Sequence, residues 1–307
     1  MPLGPLKQKL RDTFGEKLRE SVAMKTLTTF KIGGPADLLF TPGSEEDIRL
    51  MIRMCNEQQV PVTVVGGGSN LLVGDAGIRG VTIWMAGSFM ELSHTNHDGE
   101  IVLTVGASRT MAETLDYCID NDIAGLEFIS GVPGTFGGGT RMNAGTREGT
   151  IGRVAKRVRY IDGDGKAHDL HGDALSFRYR GIEIEGRFTI VRTVLSLKQG
   201  DGEKIRHIRD NIIKRRHAKQ PWQMPSAGSI FINPEGESAW RLVDESGCRG
   251  WSEGAAQVSP KHCNFIVNNG GATAENVLAL IERVRRRVFE QSGVLLETEV
   301  KVVGERK

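Results

Sequence analysis

The chain has 307 residues, of which 39% are hydrophobic and 25% are charged, and its formal net charge is +2. This length predicts two or three lobes with sizeable cores, and the composition excludes a disordered or fibrous protein. A net charge this small gives no electrostatic reason to expect a nucleic-acid or membrane partner. Glycine is unusually frequent, with 39 copies, which is typical of chains whose backbone approaches a ligand closely.

Cysteine and histidine predict neither a metal site nor a disulfide framework. The four cysteines are scattered without a Cys-x-x-Cys pair, as Cys55, Cys118, Cys248 and Cys263, so we expect free thiols in a reducing compartment. His94 and His97 have no partners at metal-ligand spacing, and we expect them in a loop, with no bound metal. The sequence shows no signal-peptide run and no stretch of transmembrane length, which predicts a cytoplasmic protein.

The first elements predict a small α/β lobe. Leucine and phenylalanine recur at helical spacing over residues 5–20, which predicts an amphipathic helix. Ser44 followed by Asp47 predicts the capped start of a second helix. The β-branched run Val62–Val65 predicts a buried strand, and this strand leads directly into a glycine turn.

The middle of the chain predicts a second lobe, mainly of strands. Thr110 and Glu113 have the spacing of a capping box and predict a helix start. Turn residues Asp162–Gly165 lie between two strand-like runs and predict a β-hairpin. The strands predicted here are Val81–Met85, Ile101–Val105, Val154–Ile161, His168–Leu170 and Phe188–Leu197.

A proline-rich break, Gln220–Pro225, separates a predicted helix over 203–217 from the last part of the chain. That part predicts a third lobe with a long amphipathic helix from about Thr273 to Gln291. Its other predicted elements are a segment Ser229–Ile232, a helix near Ser238–Glu245, and strands Asn264–Val267 and Leu295–Val303.

Two glycine-rich stretches are the most informative part of the sequence. The first, Gly66–Asn70, follows the strand Val62–Val65, and successive backbone N–H groups in such a turn can bind a diphosphate. It matches neither the Walker loop nor the dinucleotide fingerprint, and taken alone it is equally consistent with a plain tight turn. The second, Gly131–Gly152, places so many glycines in one interior segment that we expect its backbone to lie against a ligand.

Nine segments, which include the first of these stretches and part of the second, follow one another in an order that resembles a single family. They are distributed over nearly all of the chain after the first helix: Thr29–Ala36, Val65–Val73, Phe128–Gly138, Met142–Gly145, Phe177–Arg180, Pro225–Pro234, Gly254–Ser259, His262–Phe265 and Glu299–Gly304. Each is short, but their joint order and spacing are specific. The chain is similar to the UDP-N-acetylenolpyruvoylglucosamine reductases, flavoenzymes that make UDP-N-acetylmuramate for peptidoglycan.

The resemblance implies an α+β protein with the vanillyl-alcohol-oxidase-type (PCMH-type) FAD-binding fold. Two α/β subdomains, residues 1–88 with the N-terminal helix and residues 89–200, would hold FAD. A third α+β domain, residues 201–307, would bind the substrate. The implied FAD-binding residues are Val65, Gly66, Gly67, Gly68, Ser69, Asn70, Leu71, Gly134, Thr135, Gly138, Arg141, Asn143 and Ile190.

The implied reaction reduces a vinyl ether: NADPH reduces FAD, which passes a hydride to the terminal vinyl carbon of the substrate. Negative charge then develops on the neighbouring carbon and its carboxylate, which requires cations or acids there and a proton donor. The family pattern assigns the carboxylate to Arg180 and Glu299 and the proton to Ser229. The sequence alone also allows a structural role for each of them: a surface ion pair for Arg180, a solvated carboxylate for Glu299 and a turn serine for Ser229. Tyr179, Asn233 and Gln257 are candidates for the UDP-sugar.

The chain departs from the family pattern at three positions. Ile232 stands where the family commonly has a lysine, and Lys219 stands where it often has a threonine. Ile182 stands in place of the usual serine. The segment after Arg180 is short, so the chain resembles the short-loop form of the family, in which some other group must close the pocket. We expect a monomer that binds small molecules only, without nucleic-acid or membrane partners.

Two other functions remain open. An FAD-dependent alcohol or sugar-acid oxidase of the same fold would use O2 and, in some members, a histidine linked to the flavin; Gly66–Asn70 contains no histidine, which disfavours the linked form. A non-enzymatic nucleotide-binding module could also carry glycine loops.

Overall fold

The protein is described from a computed structural model that covers residues 3–85, 87–146 and 148–306. The α-helices are α1 (Leu3–Phe14), α2 (Glu45–Glu57), α3 (Met111–Asp120), α4 (Phe136–Arg141), α5 (Ile151–Val154), α6 (Gly202–Lys219), α7 (Ala239–Glu245) and α8 (Ala274–Ser292). The strands are β1 (Leu18–Ala23), β2 (Pro35–Phe40), β3 (Val62–Val65), β4 (Leu71–Val73), β5 (Ile78–Trp84), β6 (Leu92–His97), β7 (Glu100–Gly106), β8 (Ile123–Ala124), β9 (Ala155–Asp162), β10 (Ala167–His171), β11 (Phe177–Arg178), β12 (Gly181–Ile182), β13 (Phe188–Gln199), β14 (Ser252–Glu253), β15 (Ala256–Val258), β16 (Ile266–Asn268) and β17 (Lys301–Val303).

These elements form two compact units. The first unit contains Met1–Arg19, Leu38–Gly67 and Gly80–Lys214, and the second contains Glu20–Asp37, Gly68–Arg79 and Arg215–Lys307. The chain therefore passes between the units several times, because strands β1, β2 and β5 each have residues in both.

The first unit contains a large antiparallel sheet with strand order β10-β9-β13-β7-β6, and β8 pairs with the end of β13. Alternate residues of β7 and β13 are buried, as expected for strands with one face on a core. This face packs with α3 and the glycine-rich helix α4 around Phe136, Leu103 and Leu195. A second core in this unit gathers α1, α2 and the ends of β2 and β5, and there β3 pairs with β5 in parallel.

The second unit is built on the long helix α8. Its buried stripe includes Val277, Ile281 and Val284, as the sequence predicted, and it packs with α7 and the antiparallel sheet β14-β15-β16 in one core. Strand β4, which follows the first glycine turn, pairs in parallel with the C-terminal strand β17. Strand β4 and the C-terminal strand are therefore held together within this unit.

Several predictions from local sequence are confirmed. Ser44 accepts a hydrogen bond from the backbone of Asp47 at the start of α2, and Thr110 and Glu113 form the predicted capping box of α3. The hairpin β9–β10 turns at the predicted residues. These predictions held because caps and turns depend on only a few neighbouring residues.

Other predictions were wrong. The first helix ends at Phe14, not near residue 20, because Gly15 adopts a φ of 52° and the chain then enters β1. His94 and His97 lie in strand β6 and not in a loop. The last strand is confined to Lys301–Val303, with an isolated bridge at Thr298. Within the residues that the structure describes, no helix combines the length and the apolar character needed to span a membrane.

Candidate active site

The two glycine-rich stretches meet, backbone against backbone, in the first unit. A Cβ atom on Gly67 would lie 2.7 Å from the Cα atom of Gly134 and 3.0 Å from the backbone nitrogen of Thr135. A Cβ atom on Gly66 would lie 2.6 Å from the Thr135 hydroxyl. At Gly67 the neighbours are backbone atoms, so this contact alone requires glycine, whereas a side chain at Gly66 would have to displace the Thr135 hydroxyl.

Most glycines of the second stretch are also explained by the packing of the chain itself. A Cβ atom on Gly137 would meet Ala107, and one on Gly139 would meet Met111. These glycines lie in helix α4, where glycine costs about 1 kcal/mol per residue in helix stability. Close packing on the loop after β7 and on the start of α3 therefore accounts for a helix of this composition. The expectation that the backbone of this segment lies against a ligand stays a prediction.

Gly138 and Thr135 differ from these packing glycines. A Cβ atom on Gly138 would meet only the Thr135 hydroxyl, at an ordinary 3.5 Å. Among the described residues, the Thr135 Oγ1 atom is buried without a hydrogen-bond partner. Thr135 is the N-cap residue of α4, yet its side chain makes no capping bond. A buried hydroxyl normally has a partner, so this position fits a ligand with acceptor oxygens, such as the diphosphate of FAD.

The other predicted flavin residues have varied surroundings. Val65 and Ile190 are buried side chains at the end of β3 and in β13. Arg141 lies with its guanidinium 4.1 Å from the centre of the Phe188 ring and donates to the Phe188 carbonyl at 3.2 Å. In the second unit, the Gly68 carbonyl accepts a hydrogen bond from the Thr29 backbone. Ser69 and Leu71 are half-buried beside it in the chain.

Arg180 lies at the tip of a very short hairpin in the first unit. Strands β11 and β12 pair Phe177 with Ile182 and Arg178 with Gly181, so Tyr179 and Arg180 form the turn. Arg180 has a φ of 58°, a left-handed conformation that such a turn ordinarily gives to glycine or asparagine. An arginine in this conformation costs about 1–2 kcal/mol relative to a glycine. Strain of this kind is common where a side chain is needed for function.

Asn143 contacts the same hairpin. Its side-chain nitrogen donates to the Arg178 carbonyl at 3.0 Å, and its side-chain oxygen accepts from the Gly152 backbone at 2.8 Å. The residue is buried and has a φ of 44°. The amide therefore joins the end of the second glycine-rich stretch to the segment that carries Arg180.

Ser229 lies in the second unit, directly before two residues, Ile230 and Phe231, that are bonded to neighbouring segments on both sides. On one side, Asn264 accepts from the Phe231 backbone N–H and donates to its carbonyl, both at 2.8 Å. The Asn264 carbonyl also accepts from the backbone of Ile230 at 2.9 Å. The Asn264 side chain thus bonds to Phe231 as a neighbouring strand would, and it holds the residues that follow Ser229.

Glu299 borders this segment on its other side. Its backbone N–H donates to the Ile230 carbonyl at 2.8 Å, next to Ser229 in the chain. The Asn70 side chain donates to the Glu299 carbonyl at 3.2 Å, and the Asn70 carbonyl accepts from Lys301. The second unit therefore brings Glu299 next to Asn70 and to Ile230, the neighbour of Ser229 in the chain, through backbone bonds and the Asn70 amide. Ser229 and Glu299 are both half-buried.

The predicted substrate residues are divided between the units. Tyr179 is 57% exposed, and the Arg180 guanidinium lies 5.0 Å from its ring centre. In the second unit, the Asn233 side chain accepts from the backbone of Ala239 at the start of α7. Gln257 is half-buried and donates to the Gly250 carbonyl at 3.2 Å.

An ion pair supports the chain just before Asn264. Asp244 accepts from Arg249 at 2.8 and 2.6 Å, and the Cys263 thiol donates to Asp244 at 3.4 Å. The Arg249 hydrogen bonds hold the pKa of the Asp244 carboxyl below its usual range. Burial raises the pKa of the Cys263 thiol to about 12, so it stays protonated at neutral pH. Burial also lowers the pKa of the neighbouring His262, which favours a neutral imidazole.

Asn264 lies in the segment His262–Phe265 that resembles the family, but its sequence context predicted no role for it. Its signal was a polar residue inside the run Cys263–Val267, whose other members are apolar and buried. A buried asparagine needs partners for both ends of its amide. An asparagine within a predicted buried strand can therefore indicate that its side chain is hydrogen-bonded to the backbone of a neighbouring segment.

The unpaired Thr135 hydroxyl and the glycine backbones beside it fit FAD, and the comparisons with known proteins place the chain among the FAD-binding oxidoreductases. A family model described as "FAD binding domain" matches residues 36–171. A berberine bridge enzyme variant, described as a reticuline dehydrogenase, shares the fold at 15% identity over 64% of this chain and 44% of that chain, with a TM-score of 0.51.

A second family model, the C-terminal domain of UDP-N-acetylenolpyruvoylglucosamine reductase, matches residues 220–303. The reductase of Clostridium novyi is 38% identical over 94% of this chain and 93% of that protein. The reductase of Heliobacterium modesticaldum is 39% identical over 96% and 93%, respectively. The crystal structure of the Thermus caldophilus reductase has a TM-score of 0.79 at 35% identity, covering 93% of this chain and 99% of that one. This chain belongs to the UDP-N-acetylenolpyruvoylglucosamine reductase family.

Proposed function

We propose that this chain reduces the enolpyruvyl vinyl ether of UDP-N-acetylglucosamine enolpyruvate to UDP-N-acetylmuramate, a peptidoglycan precursor. Bound FAD, reduced by NADPH, supplies the hydride. The observation that carries the proposal is the relationship to this reductase family over more than nine-tenths of the chain. We also propose that the protein is a cytoplasmic monomer.

Arg180 binds the carboxylate of the enolpyruvyl group. A guanidinium is permanently charged, and its forked donors match the two oxygens of a carboxylate. As the hydride adds, negative charge spreads into that carboxylate, so a fixed cation stabilises the transition state more than the bound substrate. The left-handed φ of 58° supports this role, because a turn under no functional demand would favour glycine there.

Ser229 donates a proton to the substrate carbon next to the carboxylate. A hydroxyl is a weak acid, but the carbon it protonates is far more basic, so the transfer is downhill once charge has developed. The hydrogen bonds that Asn264 and Glu299 make to Phe231 and Ile230 fix the backbone that follows Ser229. Glu299 donates to the developing charge from its protonated form.

The FAD diphosphate binds at Gly66, Gly67 and Thr135. The unpaired Thr135 hydroxyl supplies a donor for a diphosphate oxygen, and the glycine backbones allow close approach. Gly68, Ser69, Asn70 and Leu71 continue this loop in the chain. The remaining proposed flavin residues are Val65, Gly134, Gly138, Arg141 and Ile190; Asn143 is treated separately below. Tyr179, Asn233 and Gln257 are proposed to bind the UDP-sugar.

The test separates two half-reactions. Ser229→Ala should let NADPH reduce the purified yellow protein under anaerobic conditions at the wild-type rate. Its reoxidation by UDP-N-acetylglucosamine enolpyruvate should slow by several orders of magnitude, because the proton donor is lost. Stopped-flow absorbance of the flavin measures both steps.

Ser292→Ala is the matched control, because the Ser292 hydroxyl makes local bonds at the end of α8: it donates to the Val288 carbonyl and accepts from the Val294 backbone N–H. It should leave both half-reactions unchanged. Near-normal reoxidation of Ser229→Ala would remove Ser229 from the proposal. Reoxidation of the wild-type protein by O2 with a sugar or alcohol substrate, and not by the enolpyruvyl ether, would favour the oxidase alternative.

A further inference from the structure

Asn143 was predicted to contact FAD, but its described contacts favour a different role. The residue is 8% exposed, and both ends of its amide bond to backbone atoms of the first unit. The oxygen accepts from Gly152, and the nitrogen donates to the carbonyl of Arg178. A single buried side chain therefore closes the segment from 143 to 152 and attaches it to the strand before Arg180.

The hairpin that carries Arg180 needs such an attachment. Its strands pair over only two residues each, and a two-stranded ribbon of this size is marginally stable in water. The turn is further disfavoured because Arg180 has a φ of 58°, which costs about 1–2 kcal/mol for a residue with a Cβ atom. An anchor on Arg178, two residues before Arg180, offsets this cost where it arises.

The surroundings of Asn143 are shaped for this contact. Asn143 itself has a φ of 44°, which asparagine adopts more readily than most residues. A Cβ atom on Gly152 would lie 2.6 Å from the Phe177 ring, so the glycine lets the backbone reach both the hairpin and the Asn143 amide. The Arg180 guanidinium also approaches the Gly145 carbonyl, at 3.5 Å. The segment after Asn143 thus contacts the hairpin at several points.

We propose that Asn143 is a positioning residue for Arg180 and not a ligand of FAD, an inference that rests on the proposed role of Arg180. It fixes the backbone of the turn so that the guanidinium is presented in one orientation. Removal of its amide therefore impairs the step that Arg180 serves, the reaction with the enolpyruvyl substrate. FAD binding and reduction by NADPH do not depend on it.

The experiment is a double-mutant cycle on the purified holoenzyme. Asn143→Gly removes the amide but permits the left-handed φ, so the backbone is not strained. It should lower kcat for the enolpyruvyl substrate by about 10–100-fold, the usual cost of losing a residue that orients a functional group, with FAD content and the NADPH half-reaction unchanged. Combined with Arg180→Met, it should add no further loss, because the side chain that it positions is absent.

Two further variants guard against a folding artefact. Asn143→Asp keeps an acceptor for Gly152 but cannot donate to Arg178, and it should reproduce the loss of kcat. Asn56→Asp is the control, because its amide also donates to a backbone carbonyl, that of Gly163, at 2.7 Å. It should leave kcat unchanged. Each variant is compared by melting temperature and by FAD retained per chain.

Three outcomes would overturn the inference. Loss of FAD from Asn143→Gly, with a slowed NADPH half-reaction, would make Asn143 a flavin ligand. If the fold-losses of kcat in Asn143→Gly and Arg180→Met multiply in the double variant, the two residues act independently. Normal reaction of Arg180→Met with the enolpyruvyl substrate would instead overturn the proposed role of Arg180, and the inference with it.

Discussion

The two candidate catalytic residues Arg180 and Ser229 are held by opposite means. The residues that follow Ser229 bond to Asn264 on one side and to Glu297 and Glu299 on the other. Arg180 lies at a turn, in a backbone conformation unfavourable for arginine, with Asn143 as the anchor of its hairpin. The backbone after the proton donor is thus bonded to neighbouring segments on both sides, whereas the cation lies at a strained turn whose short hairpin is anchored by a buried amide.

The largest expected effect comes from removing the strand-like bonding near Ser229. Asn264→Leu leaves the N–H and the carbonyl of Phe231 buried without partners, and each such group costs about 1–3 kcal/mol. We expect the free energy of unfolding to fall by about 3 kcal/mol or more, measured by urea titration. The residue is only 4% exposed, so water cannot replace the lost bonds.

Asn269→Ala is the matched control, since Asn269 is an exposed asparagine near the same sheet, bonded to Gln257. It should change the free energy of unfolding by less than about 0.5 kcal/mol. If Asn264→Leu were equally mild, the Ser229 segment would not depend on Asn264, and the contrast with Arg180 would lose its basis.

A paired substitution tests the backbone difference directly. At Arg180, alanine and glycine both remove the side chain, but only glycine accepts the left-handed φ without cost, so Arg180→Gly should be more stable than Arg180→Ala by about 1 kcal/mol. Ser229 does not occur among the residues with positive φ, and there the order should reverse, with alanine favoured by about 0.5–1 kcal/mol.

Thermal and urea unfolding of the four variants measure this sign change. Comparison of alanine with glycine at one position cancels the loss of the side chain's own contacts. A preference for alanine at both positions would show that Arg180 is not strained in solution. Strain would then no longer support its proposed role.

The sequence predicted well the features that depend on neighbouring residues. Thr110 with Glu113, and Ser44 with Asp47, have their predicted capping geometry because a cap needs only a few residues. The strain at Arg180 could not be predicted, because the motif Phe-Arg-Tyr-Arg contains none of the residues that usually signal a left-handed turn.

Long-range contacts explain the remaining differences. Gly67 has to be glycine because Gly134 lies against it, and no local pattern reveals a partner so distant in the chain. The pairing of Asn264 with Phe231 is equally non-local. Sequence therefore indicated which segments carry the candidate chemistry, but not which side chains hold those segments.

The smallest expected effect concerns the ion pair beside Cys263 and Asn264. The Arg249 hydrogen bonds lower the pKa of Asp244 in the folded chain, so the carboxylate stabilises the fold above its unfolded pKa. This contribution is lost as the pH falls through the folded pKa.

Because Asp244 is partly exposed, at 32% for its side chain, the contribution is less than about 1 kcal/mol. The free energy of unfolding of Asp244→Asn should therefore be lower than wild type at neutral pH, and the difference should shrink as the pH falls below the unfolded pKa of the carboxyl group. Asp98→Asn, in the exposed turn between β6 and β7, makes the same change of charge and should show little difference at any pH. A wild-type advantage over Asp244→Asn that stayed constant into acid would mean that the ion pair does not support the Ser229 segment through its charge.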